Sequence, residues 1–200
     1  MCQSAIGAAP PGIDDETIAA AYVKTREPDL FRLLVERHQE RVFRLVASLL
    51  GPFADLDAEE TTQEVFLRVH DRLDSFRGEA RFSTWLYRIA YNRTIERRRR
   101  SRLRAEHVPC GDIEESHSPT SNGPLEAVLD RERERAVARL VDGLPDVYRS
   151  VVHLRYWMDQ SVDEIAETLG VPAGTVKSYL SRALQRLRER ARAQGMGGLE

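Results

Sequence analysis

Cysteine is nearly absent from this chain: two in 200 residues, Cys2 and Cys110. One stands at the extreme N-terminus and the other in a polar stretch, with no CxxC and no Cys/His cluster. A disulfide framework or a zinc site is therefore not expected, and two unpaired thiols suit a reducing cytoplasm. Long apolar runs are missing as well. The best, Val42 to Leu50, is short and is interrupted by Arg44 and Ser48, so insertion into a membrane is not expected. The N-terminus, MCQSAIGAAPPG, lacks the basic start and apolar run of a signal peptide. Strand-like alternation of useful length is missing too. No phosphate loop, metal cluster or triad spacing is present, so neither catalysis nor a cofactor is expected. The one faint nucleophile, Ser83 near Arg77, Arg81 and Arg88, would suit a serine recombinase but is better read as a helix cap.

What the chain has in quantity is charge, 31% of residues, with the two signs nearly balanced at a net −2. The balance conceals segregation along the chain. A chain this charged builds small helical cores rather than one large interior. Residues 1–13 are small, Pro/Gly-rich and expected to be disordered. Helical periodicity follows: a helix capped by Asp14 or Asp15 and running to about Arg26, with Ile18, Ala21 and Tyr22 on one face. A second runs from Pro28 to Leu50 and is stopped by Gly51-Pro52. The next opens at Asp57, whose spacing to Glu60 is that of a capping box, with Ala58, Thr62, Val65, Phe66, Val69 and Leu73 as its apolar face. Ser83 or Thr84 is expected to cap a helix from Trp85 to about Arg104.

Residues 105–124 are rich in Pro, Gly, Ser and acid and hold no Lys or Arg, which reads as a flexible linker. Helical pattern resumes over Leu125–Val141 and again from Pro145 to about Met158. The expected fold is all-α: two small helical domains, residues 14–104 and 125–192, with a short tail at 193–200.

The sharpest local signal lies in residues 161–192. Ser161 and Glu164 form a capping box. Val162, Ile165, Ala166 and Leu169 make one apolar face, and Gly170 stands where a left-handed residue ends a helix. A second helix begins at Pro172. Short helix, glycine turn and second helix make the helix-turn-helix plan, in which the second helix reads a DNA groove. Opposite its apolar stripe stand Thr175, Ser178, Ser181, Arg182 and Gln185, flanked by Lys177 and Arg186. An ordinary helical hairpin with a solvated basic face would show the same periodicity, but the cluster of basic residues weighs toward DNA.

A second signal lies upstream. Residues 88–104 carry eight arginines against Glu96 alone, an electrostatic footprint for phosphates. Phe76, Phe82, Trp85, Tyr87 and Tyr91 stand beside them, and rings next to guanidinium groups can hold unstacked bases. Phe82 reads as core; Trp85 and the arginines read as functional. The acidic stretch Asp55–Glu64 sits on a different helix and suits a basic protein partner as well as it suits plain solvent.

Together these motifs resemble the extracytoplasmic-function (ECF) group of the sigma-70 family. DAEETTQEVFLRVHDRLDSFRGEARFSTWLYRIAYNRTIERRRR, residues 57–100, resembles sigma region 2. LPDVYRSVVHLRYWMDQSVDEIAETLGVPAGTVKSYLSRALQRLRE, residues 144–189, resembles sigma region 4. The resemblance implies a specificity subunit of RNA polymerase that directs the enzyme to promoters and assists their melting, without catalysis of its own. Its partners would be core RNA polymerase, through the β′ clamp helices and the β flap, promoter DNA and an anti-sigma factor. By position, Asp57, Glu60, Gln63 and Glu64 would meet polymerase. Arg77, Arg81, Trp85, Arg88, Asn92 and Arg93 would meet the minus-ten element. Thr175, Lys177, Ser178, Ser181 and Arg182 would meet the minus-thirty-five element. Two positions depart from the family pattern: Thr61, where an apolar residue is usual, and Tyr179, where an arginine is usual. A self-sufficient helix-turn-helix regulator is the alternative, but it leaves the arginine/aromatic and acidic helices without a task.

Overall fold

The structure, a computed structural model, describes residues 13–51, 54–105 and 136–194. All regular structure among them is helical: α1 (Asp15–Thr25), α2 (Pro28–Leu50), α3 (Ala54–Arg72), a single 3-10 turn (Leu73–Ser75), α4 (Phe82–Ala105), α5 (136–142), α6 (Asp146–Tyr156), α7 (Val162–Leu169) and α8 (Ala173–Ala193). The expected disordered start, the linker and the first part of the helix expected at Leu125–Val141 lie outside the described residues, as does the end of the tail.

Helix ends follow the capping chemistry of the sequence in most places. Asp14 caps α1 by accepting from the Thr17 N–H at 2.6 Å. Pro28 opens α2, where its missing N–H costs nothing. Gly51 ends α2 with φ +61° and ψ −124°, a conformation open only to glycine. The Ser161/Glu164 capping box is reciprocal: Glu164 N–H donates to Ser161 Oγ at 3.2 Å and Ser161 N–H to the Glu164 carboxylate at 2.7 Å. Gly170 adopts the left-handed conformation that closes α7.

Two ends differ from expectation. Helix α3 starts at Ala54, so Asp57 lies inside it and cannot cap it. Its carboxylate instead accepts from Arg97 of α4, a contact forty residues away in sequence. Helix α4 starts at Phe82, ahead of Ser83 and Thr84. The Phe82 N–H donates to the Glu16 carboxylate at 2.6 Å. An acid on α1 thus satisfies the first orphan donor of α4 and meets the positive end of its dipole, which leaves Ser83 and Thr84 no capping task.

Helices α1 to α4 pack around Leu34, Val42, Leu45, Val46 and Leu49 of α2. Val65 and Val69 of α3, Phe82, Leu86, Tyr87 and Ala90 of α4, and Ile18 and Tyr22 of α1 close over them. Each buried Leu, Val, Ile or Phe among them contributes about 1.5–3 kcal/mol by leaving water. Thr61 sits in this interior with no exposure, and its hydroxyl has no hydrogen-bond partner. The usual apolar residue would fill that place without stranding a hydroxyl.

In the C-terminal half, Val141, Leu144, Val152 and Ala183 form a small cluster of their own. Leu154, Met158, Ile165 and Val176 instead join the interior of the first half. The two halves are therefore docked: α4 packs on α7, and α2 packs on α6.

Candidate functional site

Aromatic stacking positions the first candidate surface. Phe76, Phe82 and Trp85 form a ring cluster with centroid separations of 5.5 to 5.9 Å. Phe82 is core, as expected, and supports the half-buried Trp85. Trp85, Arg88 and Asn92 follow one another at i, i+3 and i+7, so they share one face of α4. Arg81 precedes that face, and Gly78, at φ +72°, turns the loop that carries Arg77. Arg77, Arg81, Arg88 and Asn92 are exposed. This surface combines guanidinium donors with a ring, the equipment for phosphates and unstacked bases.

Arg93 does not belong to that face. Its side chain is only 8% exposed and pairs with Glu64 at 2.6 Å and with Glu96 at 3.0 Å. Burial works against its charge, but the Glu64 and Glu96 carboxylates outweigh it and raise its pKa further. Arg97 is held likewise by Asp57 and Glu60, which raise its pKa despite desolvation. Three of the four residues expected to meet polymerase are thus internally paired: Asp57, Glu60 and Glu64. Gln63 is exposed, and Glu60 remains largely so. Glu60, Gln63 and Leu67 lie on one face of α3 at i, i+3 and i+7. Leu67 is 65% exposed; the sequence reading passed over it, although it is an apolar residue off the helix's apolar stripe.

The third surface lies on α8. Lys177, Ser178, Ser181 and Arg182 are exposed, and Thr175 is half-buried beside them. The Ser178 hydroxyl donates to the Gly174 carbonyl at 3.1 Å, which leaves its oxygen free to accept. Beside this face is an open cleft of about 550 Å³ lined by Tyr148, Arg182, Gln185, Arg186 and Glu189. The Arg186 guanidinium lies over the Tyr148 ring, 5.2 Å from its centroid. Tyr148 comes from α6, and sequence reading of the helix-turn-helix alone did not reach it. Among the described residues no group of His, Cys, Asp and Glu is placed to hold a metal ion, and no helix is long and apolar enough to cross a membrane.

Known proteins share both halves of this arrangement. Residues 34–104 match the family model described as Sigma-70 region 2, and residues 134–187 match Sigma-70, region 4. The ECF RNA polymerase sigma factor SigW of Bacillus subtilis is 35% identical over 176 residues, covering 85% of this chain and 93% of that protein. The ECF RNA polymerase sigma-E factor of Escherichia coli K12 is 32% identical, covering 84% of this chain and 90% of its own length. Among solved structures, CnrH in complex with the cytosolic domain of CnrY superposes with a TM-score of 0.65 at 23% identity, over 90% of this chain and 97% of the other. The sigma factor RpoE of Bartonella quintana, solved with the anti-sigma factor NepR, gives 0.62 at 22%, over 80% and 94%. These two likenesses concern the fold. The two region matches and the sequence relatives, in the same order along the chain as the two docked helical halves, place this protein in the sigma-70 family, among its ECF sigma factors.

Proposed function

We propose that this protein binds core RNA polymerase, carries it to specific promoters and assists their melting, with no catalytic step of its own. The observation that carries this reading is the division of labour over three surfaces. The α4 face with Arg81, Trp85, Arg88 and Asn92 suits an unpaired minus-ten strand. The α8 face with Lys177, Ser178, Ser181 and Arg182 suits the duplex minus-thirty-five element, since a helix fits a major groove about 12 Å wide. The α3 face with Glu60, Gln63 and Leu67 combines acid, amide and apolar groups and is turned away from nucleic acid by its charge. A protein partner, the polymerase clamp, is its natural occupant. A self-sufficient helix-turn-helix regulator would need only the second of these. The site of action is the cytoplasm, where polymerase and chromosome are, and control by an anti-sigma protein belongs to the same proposal.

Run-off transcription with purified core polymerase on a genomic promoter library tests this. Core plus this chain is expected to initiate at a small set of start sites that core alone ignores. Start sites identical with and without the chain would overturn the reading.

A further inference from the structure

We infer that Glu16 of α1 is a positioning residue for promoter opening: it holds the first turn of α4, and with it Arg81 and Trp85, in the geometry that receives an unpaired strand. The inference rests on the proposed function for the strand; the hold on α4 does not.

The start of α4 carries a conflict of charge. Arg81 stands directly before the helix, and the first turn contains no acidic residue. A helix N-terminus is the positive end of its dipole, so a cation there is unfavourable. The Arg81 carbonyl accepts the first backbone bond of α4, from the Trp85 N–H at 3.1 Å. The N–H groups of Phe82, Ser83 and Thr84 come before that bond and have no carbonyl within the helix to reach. Glu164 of α7 approaches the Arg81 and Thr84 side chains, each at 3.5 Å, while the Phe82 backbone donor goes to Glu16 at 2.6 Å. A first turn without such a partner frays. Here the turn at stake is the one that presents Arg81 and Trp85.

Glu16 is itself held in place. The Asp15 carboxylate accepts from Arg37 of α2 at 2.7 Å and lies 2.8 Å from His38 Nε2. Arg37 also donates to the Ile13 carbonyl at 2.9 Å. Ile18 and Ala19 anchor the next turn of α1 in the core. The His38 ring packs on Phe82 at 5.4 Å between centroids, and Phe82 packs on Trp85 at 5.9 Å. The start of α4 is therefore fixed at its backbone by Glu16 and at the ring beneath Trp85 by His38, and Asp15 ties the two supports together. The region 2 match begins at residue 34, so it assigns Glu16 no task.

The test uses the full chain with core polymerase, as wild type, Glu16→Ala, Glu16→Gln and Val46→Ala. Val46 is buried about two turns along α2 from His38, so its truncation lowers stability away from the junction. The probe is a start site found by run-off transcription, used as duplex and with mismatched bases across the minus-ten element. Glu16→Ala is expected to bind core as wild type does, but to bind the mismatched fragment about fivefold more weakly, the effect of a lost cap. Permanganate reactivity of the duplex should fall with it. Glu16→Gln should stay near wild type, because its side-chain oxygen still accepts from Phe82. Val46→Ala should melt earlier and still capture the strand normally. Tighter or equal binding of the mismatched fragment by Glu16→Ala, a Gln variant as defective as Ala, or the same defect in Val46→Ala would each overturn the inference. If Glu16→Ala loses helicity, Glu16→Asp, which keeps the charge and shortens the reach, replaces it. A second readout needs no DNA. With Trp157→Phe as background Trp85 is the one tryptophan, and acrylamide should quench it more in Glu16→Ala than in the parent. Equal quenching would refute the hold on α4. Wild type plus core that opens no duplex would sink the proposed function, while quenching still decides the hold.

Discussion

The Arg93 guanidinium rests 2.6 Å from the Glu64 carboxylate, and this pairing separates two arginines that are alike in sequence. Arg88, five residues earlier, is exposed on the face shared with Trp85 and Asn92. Removing Arg93 takes away the guanidinium that Glu64 and Glu96 share, leaving Glu64 with the more distant Arg97 and Glu96 with Arg68 and Arg100. Arg93→Ala is expected to cost at most about 3 kcal/mol, the lower end for a broken buried pair, because both acids keep some water and other arginine partners. Arg88→Ala is expected to change stability by less than about 0.5 kcal/mol and to impair promoter opening. Urea melts beside permanganate footprints of the polymerase complex separate the two. Equal melts for both variants would show that Arg93 is not the structural one.

Thr61 carries a second prediction. Thr62 and Thr94 donate to carbonyls four residues back, at 2.7 Å each, whereas the buried Thr61 hydroxyl has no partner. Burying an unsatisfied hydroxyl costs about 1–3 kcal/mol. Thr61→Val keeps the shape and removes the hydroxyl, so a gain of about 1 kcal/mol is expected. At this chain length that is a melting temperature about 2–4 °C higher. A lower melting temperature would mean that the hydroxyl is satisfied in solution.

These two cases show what could be read from the sequence and what could not. Helix periodicity, the Ser161/Glu164 box, the Gly170 stop and the exposed face of α8 depend on neighbours three or four residues apart, and they were legible. The fate of a charge was not. Whether Arg93 meets DNA or Glu64 depends on how α3 and α4 cross, twenty-nine residues apart in sequence. The same holds for Glu16, which caps α4 from α1 across sixty-six residues and displaces the local candidates Ser83 and Thr84. The docking of the halves was also hidden, because Ile165 and Val176 look like ordinary helix-turn-helix core until α4 is seen beside them. The family resemblance named two regions, and the family models match both, but it could not say which of their charges are spent internally.

His153 sets a pH dependence. It stacks on Trp157 with ring centroids 4.6 Å apart. Burial, with the Arg149 charge adding to it, lowers its pKa from 6.5 to about 4. The folded state therefore holds His153 neutral where the unfolded chain would protonate it. Its contribution is full above about pH 6.5 and is lost as pH falls from there toward 4. The loss is at most about 3 kcal/mol. His153→Phe keeps a ring against Trp157 and cannot titrate. Denaturant melts at pH 7 and pH 5 are expected to show a drop for wild type that exceeds the drop for His153→Phe. Equal drops would mean that His153 titrates normally.

The last prediction concerns Tyr179, where the family usually has arginine. Its ring meets Tyr148 edge-on at 5.9 Å, and it is half-buried against the interior shared by the two halves. Tyr148 in turn carries Arg186 on its face. Tyr179 is thus part of the packing that supports the basic face rather than a member of it. An aromatic pair of this kind contributes about 0.5–1.5 kcal/mol beyond its burial. Tyr179→Arg is expected to lower stability by about 1 kcal/mol or slightly more, while the preferred minus-thirty-five sequence stays as in wild type. Tyr148→Leu removes both the ring partner of Tyr179 and the seat of Arg186. It should lower stability to a similar degree and weaken promoter binding by the polymerase complex, whereas Tyr148→Phe keeps both rings in place and should resemble wild type. Selection of bound sequences, run beside thermal melts of all three variants, decides between packing and reading. A changed sequence preference for Tyr179→Arg with an unchanged melt would make Tyr179 a reader of DNA, because a residue whose loss costs no stability cannot be holding the helix in place.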